Sequence, residues 1–122
     1  MSREVKILIA DDDNFIRLSL KTVLEQQGYS VIEAHDGEDA VKKFSQESPD
    51  LILLDGIMPK MDGFEACKAI RGHEKGLGVP IIIVTGLDKD NAKVQHKNAQ
   101  VTGYLEKPID WKQLTQKISQ FI

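Results

Sequence analysis

A single cysteine among 122 residues closes off one class of protein at once. Cys67 has no partner with which to form an internal disulfide, so the fold must be held by its core. Long apolar stretches are absent as well: none approaches the roughly 20 residues of a membrane span, and none follows the pattern of a cleaved signal. The location these absences imply is the cytoplasm. Positive charge is not in excess, because 16 lysines and arginines stand against 19 acids for a formal net charge of -3. That balance leaves no basic footprint for nucleic acid or an anionic membrane, and neither is expected as a direct partner. Zinc-type sites are disfavoured because Cys67, His35, His73 and His96 lie apart in the sequence. Low-complexity tracts, linkers and repeats are missing too, so residues 1–122 read as one domain with one core.

What is present is an alternation. Short β-rich apolar runs, Val5 to Ala10, Ser30 to Ala34, Leu51 to Leu54, Ile81 to Val84 and Gly103 to Leu105, are separated by segments of helical period. Each intervening segment is long enough for a crossover between parallel strands. The expected architecture is α/β, a (βα)5 unit. The first, third and fourth runs are almost wholly apolar, as strands covered on both faces should be, while Ser30 to Ala34 is mixed enough for an edge. Ile16, Leu20, Val23 and Leu24 make one helical stripe that stops at Gly28, and Trp111, Leu114, Ile118, Phe121 and Ile122 make another. Ala40, Val41 and Phe44 mark a second helix ending before Pro49. Phe64, Cys67 and Ile70 mark a third, from about Phe64 to Arg71. Asn91 to Ala99 offers only small or sparse apolar anchors, so a loosely held helix is expected there. Cys67, Met58, Met61 and Trp111 read as packing residues.

Two of the apolar runs deliver acids to their carboxyl ends. Val5 to Ala10 leads into Asp11-Asp12-Asp13, and Leu51 to Leu54 closes on Asp55. Parallel neighbouring strands would bring these carboxylates into one pocket, since ligand sites in open α/β sheets lie beyond the carboxyl ends of the strands. Carboxylates crowded in that way repel by several kcal/mol at an effective dielectric near 20 unless a cation intervenes. Oxygen-only ligands suit magnesium, with manganese as a substitute. Asp13 reads instead as a cap on the first helix. The fourth run ends in Thr85 and the fifth is followed by Lys107, so the same edge receives a hydroxyl and an ammonium. A carboxylate nucleophile, a metal, a hydroxyl and a lysine are the parts that accept and hold a phosphoryl group.

Ile7-Leu8-Ile9-Ala10-Asp11-Asp12, Pro49-Asp50-Leu51-Ile52-Leu53-Leu54-Asp55, Met58-Pro59-Lys60-Met61-Asp62-Gly63, Pro80-Ile81-Ile82-Ile83-Val84-Thr85 and Tyr104-Leu105-Glu106-Lys107-Pro108 occur in this order. With them the chain resembles the receiver domain of bacterial two-component response regulators from near Val5 to its last residues. The resemblance implies a flavodoxin-like, doubly wound parallel sheet of order 2-1-3-4-5, with Asp55 as phosphoacceptor. It further implies magnesium held by Asp11, Asp12, Asp55 and the backbone carbonyl of Ile57. Thr85 and Lys107 would each take a phosphoryl oxygen, and Tyr104 would be the aromatic switch. The implied partners are a sensor histidine kinase or phosphotransfer protein and an effector protein or output domain. A phosphorylation-dependent dimer would use the weak helix, the fifth strand and the last helix. Such a domain is no enzyme beyond its own phosphorylation and dephosphorylation. Departures are Gly86, where alanine is common, and Gln100-Val101-Thr102-Gly103, where Gly-Ala-acid-acid is usual. Gln100 lacks the backbone freedom of glycine.

Asp11-x-Asp13 is similar to the nucleophile motif of haloacid-dehalogenase-like phosphohydrolases, although Phe15 stands where that motif has Thr or Val. A mononucleotide binder would need phosphate donors where three acids stand. A docking module without phosphorylation would not need the full set of acids, threonine and lysine. Ile57 and Leu87 are apolar where a polar side chain would place a water, so slow self-dephosphorylation is expected.

Overall fold

The computed structural model describes residues 4–86 and 100–122. Five parallel strands, β1 (Lys6–Ala10), β2 (Ser30–Ala34), β3 (Leu51–Asp55), β4 (Ile81–Thr85) and β5 (Gly103–Glu106), form one sheet in the order β2-β1-β3-β4-β5. This is the flavodoxin-like, doubly wound order expected. The α-helices among the described residues are α1 (Asn14–Gln26), α2 (Gly37–Glu47), α3 (Gly63–Arg71) and α4 (Trp111–Ser119), with a short 3-10 turn at Glu74–Gly76. The helix expected over Asn91 to Ala99 lies outside the described residues, as does Leu87.

Strand alternation divides the apolar side chains between two layers. Leu8, Ile52, Leu54, Ile81 and Ile83 pack with Ala40 and Phe44 of α2 and Ala66, Cys67 and Ile70 of α3. Ile7, Ile9, Leu51, Leu53, Ile82 and Val84 pack on the other face with Leu20 and Leu24 of α1 and Leu114 and Ile118 of α4. Covering on both faces explains the unbroken apolar runs in β1, β3 and β4. β2, half-buried along most of its length, is the edge strand its mixed composition suggested.

The helix ends follow local chemistry. Asp13, Asp36, Asp62 and Asp110 each cap a helix through side-chain acceptance of backbone N–H groups, and Asp62 with Glu65 completes a reciprocal capping box. The stripe expected in α4 needs correction, because only Leu114 and Ile118 are buried whereas Trp111, Phe121 and Ile122 are exposed. The helix ends at Ser119, so the 3.6-residue period no longer aims Phe121 and Ile122 inward. Gln100 has φ 57°, the left-handed conformation that glycine would adopt freely and that costs another residue roughly 1–2 kcal/mol.

No helix among the described residues is long and apolar enough to cross a membrane.

Candidate functional site

The strand register builds the site. Ala10 pairs with Leu54 across β1 and β3, so the next residues in line are Asp11 and Asp55. Both are nearly buried, at 3% and 6% exposure, which is rare for carboxylates without partners. Carboxylate oxygens of Asp11, Asp12 and Asp55 lie within 4.8 Å of one another. Lys107 reaches in from the turn after β5, its Nζ 3.1 Å from Asp55 Oδ2 and 3.8 Å from Asp11 Oδ2. Asp11 Oδ1 accepts from the Asp13 amide at 2.8 Å, and Asp55 Oδ1 accepts from the Ile57 amide at 3.2 Å.

Burial pushes the Asp11 carboxyl up from its usual 3.8 to about 6, with the negative charge of Asp55 adding to the effect and the Asp13 amide and Lys107 opposing it. Three carboxylates against one ammonium leave two uncancelled negative charges at this point when all are ionised. At the observed spacing each carboxylate pair repels by about 3–4 kcal/mol at an effective dielectric of 20. A single hard divalent cation would cancel that charge, and an all-oxygen donor set with one exposed member, Asp12, fits magnesium with waters completing its shell.

Two glycines let the loop after β3 fold back on the site. A Cβ at Gly63 would collide with the Asp55 backbone carbonyl, and one at Gly56 would come within 3.0 Å of Thr85 Oγ1 and 3.1 Å of Phe64. The loop between them carries Met58 into the core and leaves the Ile57 side chain 66% exposed. Thr85, the last residue of β4, is buried beside Gly56, and its carbonyl accepts from the Lys107 amide at 2.9 Å. Thr85 and Lys107 are therefore tied together by backbone. Tyr104 pairs with Ile83, two residues before Thr85, on the face that packs against α3. Its hydroxyl is held above the usual phenol range by burial and then by nearby Cys67, whose own thiol burial pushes up to about 11. Cys67 is thus the inert core residue expected.

Every site residue anticipated from sequence, Asp11, Asp12, Asp55, Ile57, Thr85, Tyr104 and Lys107, lies at or beside this one edge. Asp13 does not join them, because its Oδ1 accepts from the Phe15 and Ile16 amides at 2.9 and 3.1 Å. Sequence reading missed Arg17, which donates to the Asp11 carbonyl. The available signal was a charged residue, Glu33, in the middle of the second strand, which called for a cation opposite.

The model of the response regulator receiver domain matches residues 7–119. The chain belongs to that family. Curated relatives include the alkaline phosphatase synthesis transcriptional regulatory protein PhoP of Bacillus subtilis, 38% identical over 96% of this chain and 48% of its own length. Response regulator MprA of Mycobacterium tuberculosis is 39% identical over 90% of this chain and 47% of its own. The chain spans about half the length of these relatives. Among solved structures, chemotaxis protein CheY4 of Vibrio cholerae superposes with a TM-score of 0.93 at 32% identity, covering 98% of this chain and 100% of that one. The receiver domain of sensor histidine kinase PA1611 from Pseudomonas aeruginosa, with magnesium coordinated in its active site cleft, gives 0.89 at 28% identity and 98% coverage of this chain and of that one.

Receiver domains are phosphoryl-accepting signalling modules rather than enzymes acting on external substrates. The haloacid-dehalogenase-like reading is thereby set aside, and the geometry gives the reason: the second acid of its motif, Asp13, is occupied as a helix cap.

Proposed function

We propose that Asp55 is the phosphoacceptor of this receiver domain and that Asp11 and Asp12, with Asp55 and the Ile57 carbonyl, hold magnesium, for which manganese can substitute. The observation that carries this is the cluster of three carboxylates at the carboxyl edge of the sheet, two of which, Asp11 and Asp55, face Lys107. Magnesium, when bound, neutralises the acids and the incoming phosphoryl oxygens. An Asp55 carboxylate oxygen attacks phosphorus, the bond from phosphorus to the donor's imidazole nitrogen breaks, and that nitrogen keeps the bonding electron pair. Acetyl phosphate reacts in the same way with acetate as leaving group. Lys107 shifts from the Asp55 carboxylate to a phosphoryl oxygen, and Thr85 donates its hydroxyl to another.

Each of those charge-assisted bonds contributes about 1.5–3 kcal/mol, and two approach the roughly 5.5 kcal/mol that inverts a 1:99 equilibrium. Movement of Thr85 opens space on the face it shares with Tyr104, which turns inward. The surface of β5 and α4, with its shallow groove between Tyr104, Glu106, Gln113 and Lys117, is re-contoured for an effector, an output domain or a second copy.

The donor is a protein carrying phosphohistidine, a sensor kinase or phosphotransfer protein. Supporting this, a groove of about 500 Å³ beside Lys107 is lined by Phe15, Ile16, Pro108, Ile109 and Trp111, apolar surface that a phosphate-sized donor would not need. Spontaneous loss of the phosphoryl group is slow, because Ile57 presents no polar group to place a water. The test is intact mass after acetyl phosphate and magnesium. Wild type gains one phosphoryl group, about 80 Da, and Asp55→Asn gains none; an equal gain in both overturns the assignment.

A further inference from the structure

Arg17, one turn into α1, is 11% exposed and uses its three nitrogens on three different segments. Nη1 donates to the Asp11 backbone carbonyl at 2.7 Å, Nη2 to Asn14 Oδ1 at 2.6 Å, and Nε to Glu33 Oε1 on β2 at 3.3 Å. Glu33 is braced in turn by Lys21 at 3.4 Å. The Asp11 peptide is thus fixed through its carbonyl by Arg17 and through its N–H by the Ala34 carbonyl at 3.3 Å, while Oδ1 is fixed by the Asp13 amide. Oδ2 is the atom that faces Lys107, at 3.8 Å.

We propose that Arg17 is a positioning residue for the acid loop, holding Asp11 and Asp12 in the spacing that binds magnesium. The proposal rests on the magnesium reading above and assigns that site a support outside its ligands. A guanidinium suits this task because its planar fork reaches a carbonyl, an amide oxygen and a carboxylate at once, which a lysine ammonium cannot do in one geometry. Partners that orient metal ligands in this way typically change metal affinity by about 10–100-fold when removed.

Three roles for Arg17 predict three different signs. A cation acting only through its field repels magnesium, so its removal would tighten binding. A cation acting only as a staple between α1 and β2 would lower thermal stability and leave affinity alone. A positioning residue weakens binding when it is lost, and weakens it even when the charge is kept. The experiment is a magnesium chloride titration of the protein without phosphoryl donor, followed by the amide resonances of Asp12 and Ile57, in wild type, Arg17→Gln, Arg17→Lys and Glu33→Gln. Expected is a dissociation constant raised about tenfold or more in Arg17→Gln and severalfold in Arg17→Lys, with a smaller rise in Glu33→Gln, where the contacts to Asp11 and Asn14 remain. Should Arg17→Gln fail to fold, Arg17→Lys and Glu33→Gln decide. Affinity unchanged or tightened in the folded variants overturns the proposal. Wild type that binds no magnesium overturns the underlying metal reading instead, which the wild-type titration alone reveals.

Discussion

At the amino-terminal edge of the sheet Arg71 donates to the carbonyls of Gln100, Gly76 and Val79 and to the Thr102 hydroxyl. There, too, Asp50 accepts from the amide that opens β1. At the carboxyl edge Asp11, Asp12 and Asp55 crowd together instead, with Lys107 beside Asp11 and Asp55. Both edges bring charge to the ends of the same strands, and they use it in opposite ways. The first matches opposite partners and fixes register: Thr102 Oγ1 accepts from the Ile81 amide as well as from Arg71, which ties the start of β5 to the start of β4. The second crowds like charges, a local conflict of the kind retained where a site must bind something. Stability resides at one end and the proposed chemistry at the other, joined by strands whose register carries placement from edge to edge.

Breaking the stable edge should have the largest effect on folding. Arg71→Ala removes four hydrogen bonds and leaves part-buried carbonyls to water, an expected loss of about 4 kcal/mol by denaturant unfolding. Because the acids lie at the opposite ends of the strands, magnesium affinity of the folded fraction should stay within about twofold, a change well below the tenfold of 1.4 kcal/mol. A large affinity change would mean that the edges are not separable.

Breaking the crowded edge should do the reverse. The Asp11 carboxyl is raised in the folded state, so folding favours its protonated form: that contribution is present below about pH 4 and is lost as pH rises through about 6. At pH 7 the ionised group therefore opposes folding by on the order of 2–3 kcal/mol. Asp11→Asn should gain about that much in chelator at pH 7, with the gain vanishing near pH 4, and should lose the stabilisation that magnesium gives wild type. Unfolding curves at the two pH values check it. A variant less stable than wild type at pH 7 would show that the carboxylates are not in conflict.

The conflict was legible in the sequence because it is written in contiguous residues. An apolar run ending in Asp55 and another ending in Asp11-Asp12 need only parallel pairing to meet, and the Ala10 to Leu54 register supplies it. Thr85 and Lys107 were legible for the same reason. The clamps were less so, and for Arg17 a charged Glu33 within a strand was only a hint. Arg71 reaches Thr102 across 31 positions and Arg17 reaches Glu33 across 16, and nothing in either helix's period says which strand its polar side faces. Gln100 was a half-legible case. The missing glycine suggested a different backbone path, whereas Gln100 takes the φ of 57° that glycine would adopt freely, and Arg71 holding its carbonyl could be found only in three dimensions. Trp111 was misjudged because periodicity extends past the point where neighbouring layers stop.

The smallest expected effect tests whether the crowded edge also sets the lifetime of its product. Ile57 is 66% exposed, two residues beyond Asp55, and its amide already donates to Asp55 Oδ1. A side chain at this position stands in solvent close to the carboxylate in sequence, and an attacking water must arrive from solvent. Isoleucine gives that water neither a donor nor an acceptor. Asparagine of similar reach would hold it, and one such hydrogen bond, about 1 kcal/mol at the transition state, corresponds to a roughly fivefold faster loss of the phosphoryl group. Because residue 57 contributes only backbone to the acid cluster, magnesium affinity and stability should barely move. The check is the decay of the about 80 Da adduct after removal of acetyl phosphate, wild type against Ile57→Asn. An unchanged half-life would mean that water access is controlled elsewhere at this edge, and that the apolar residue beside the acids shapes docking rather than lifetime.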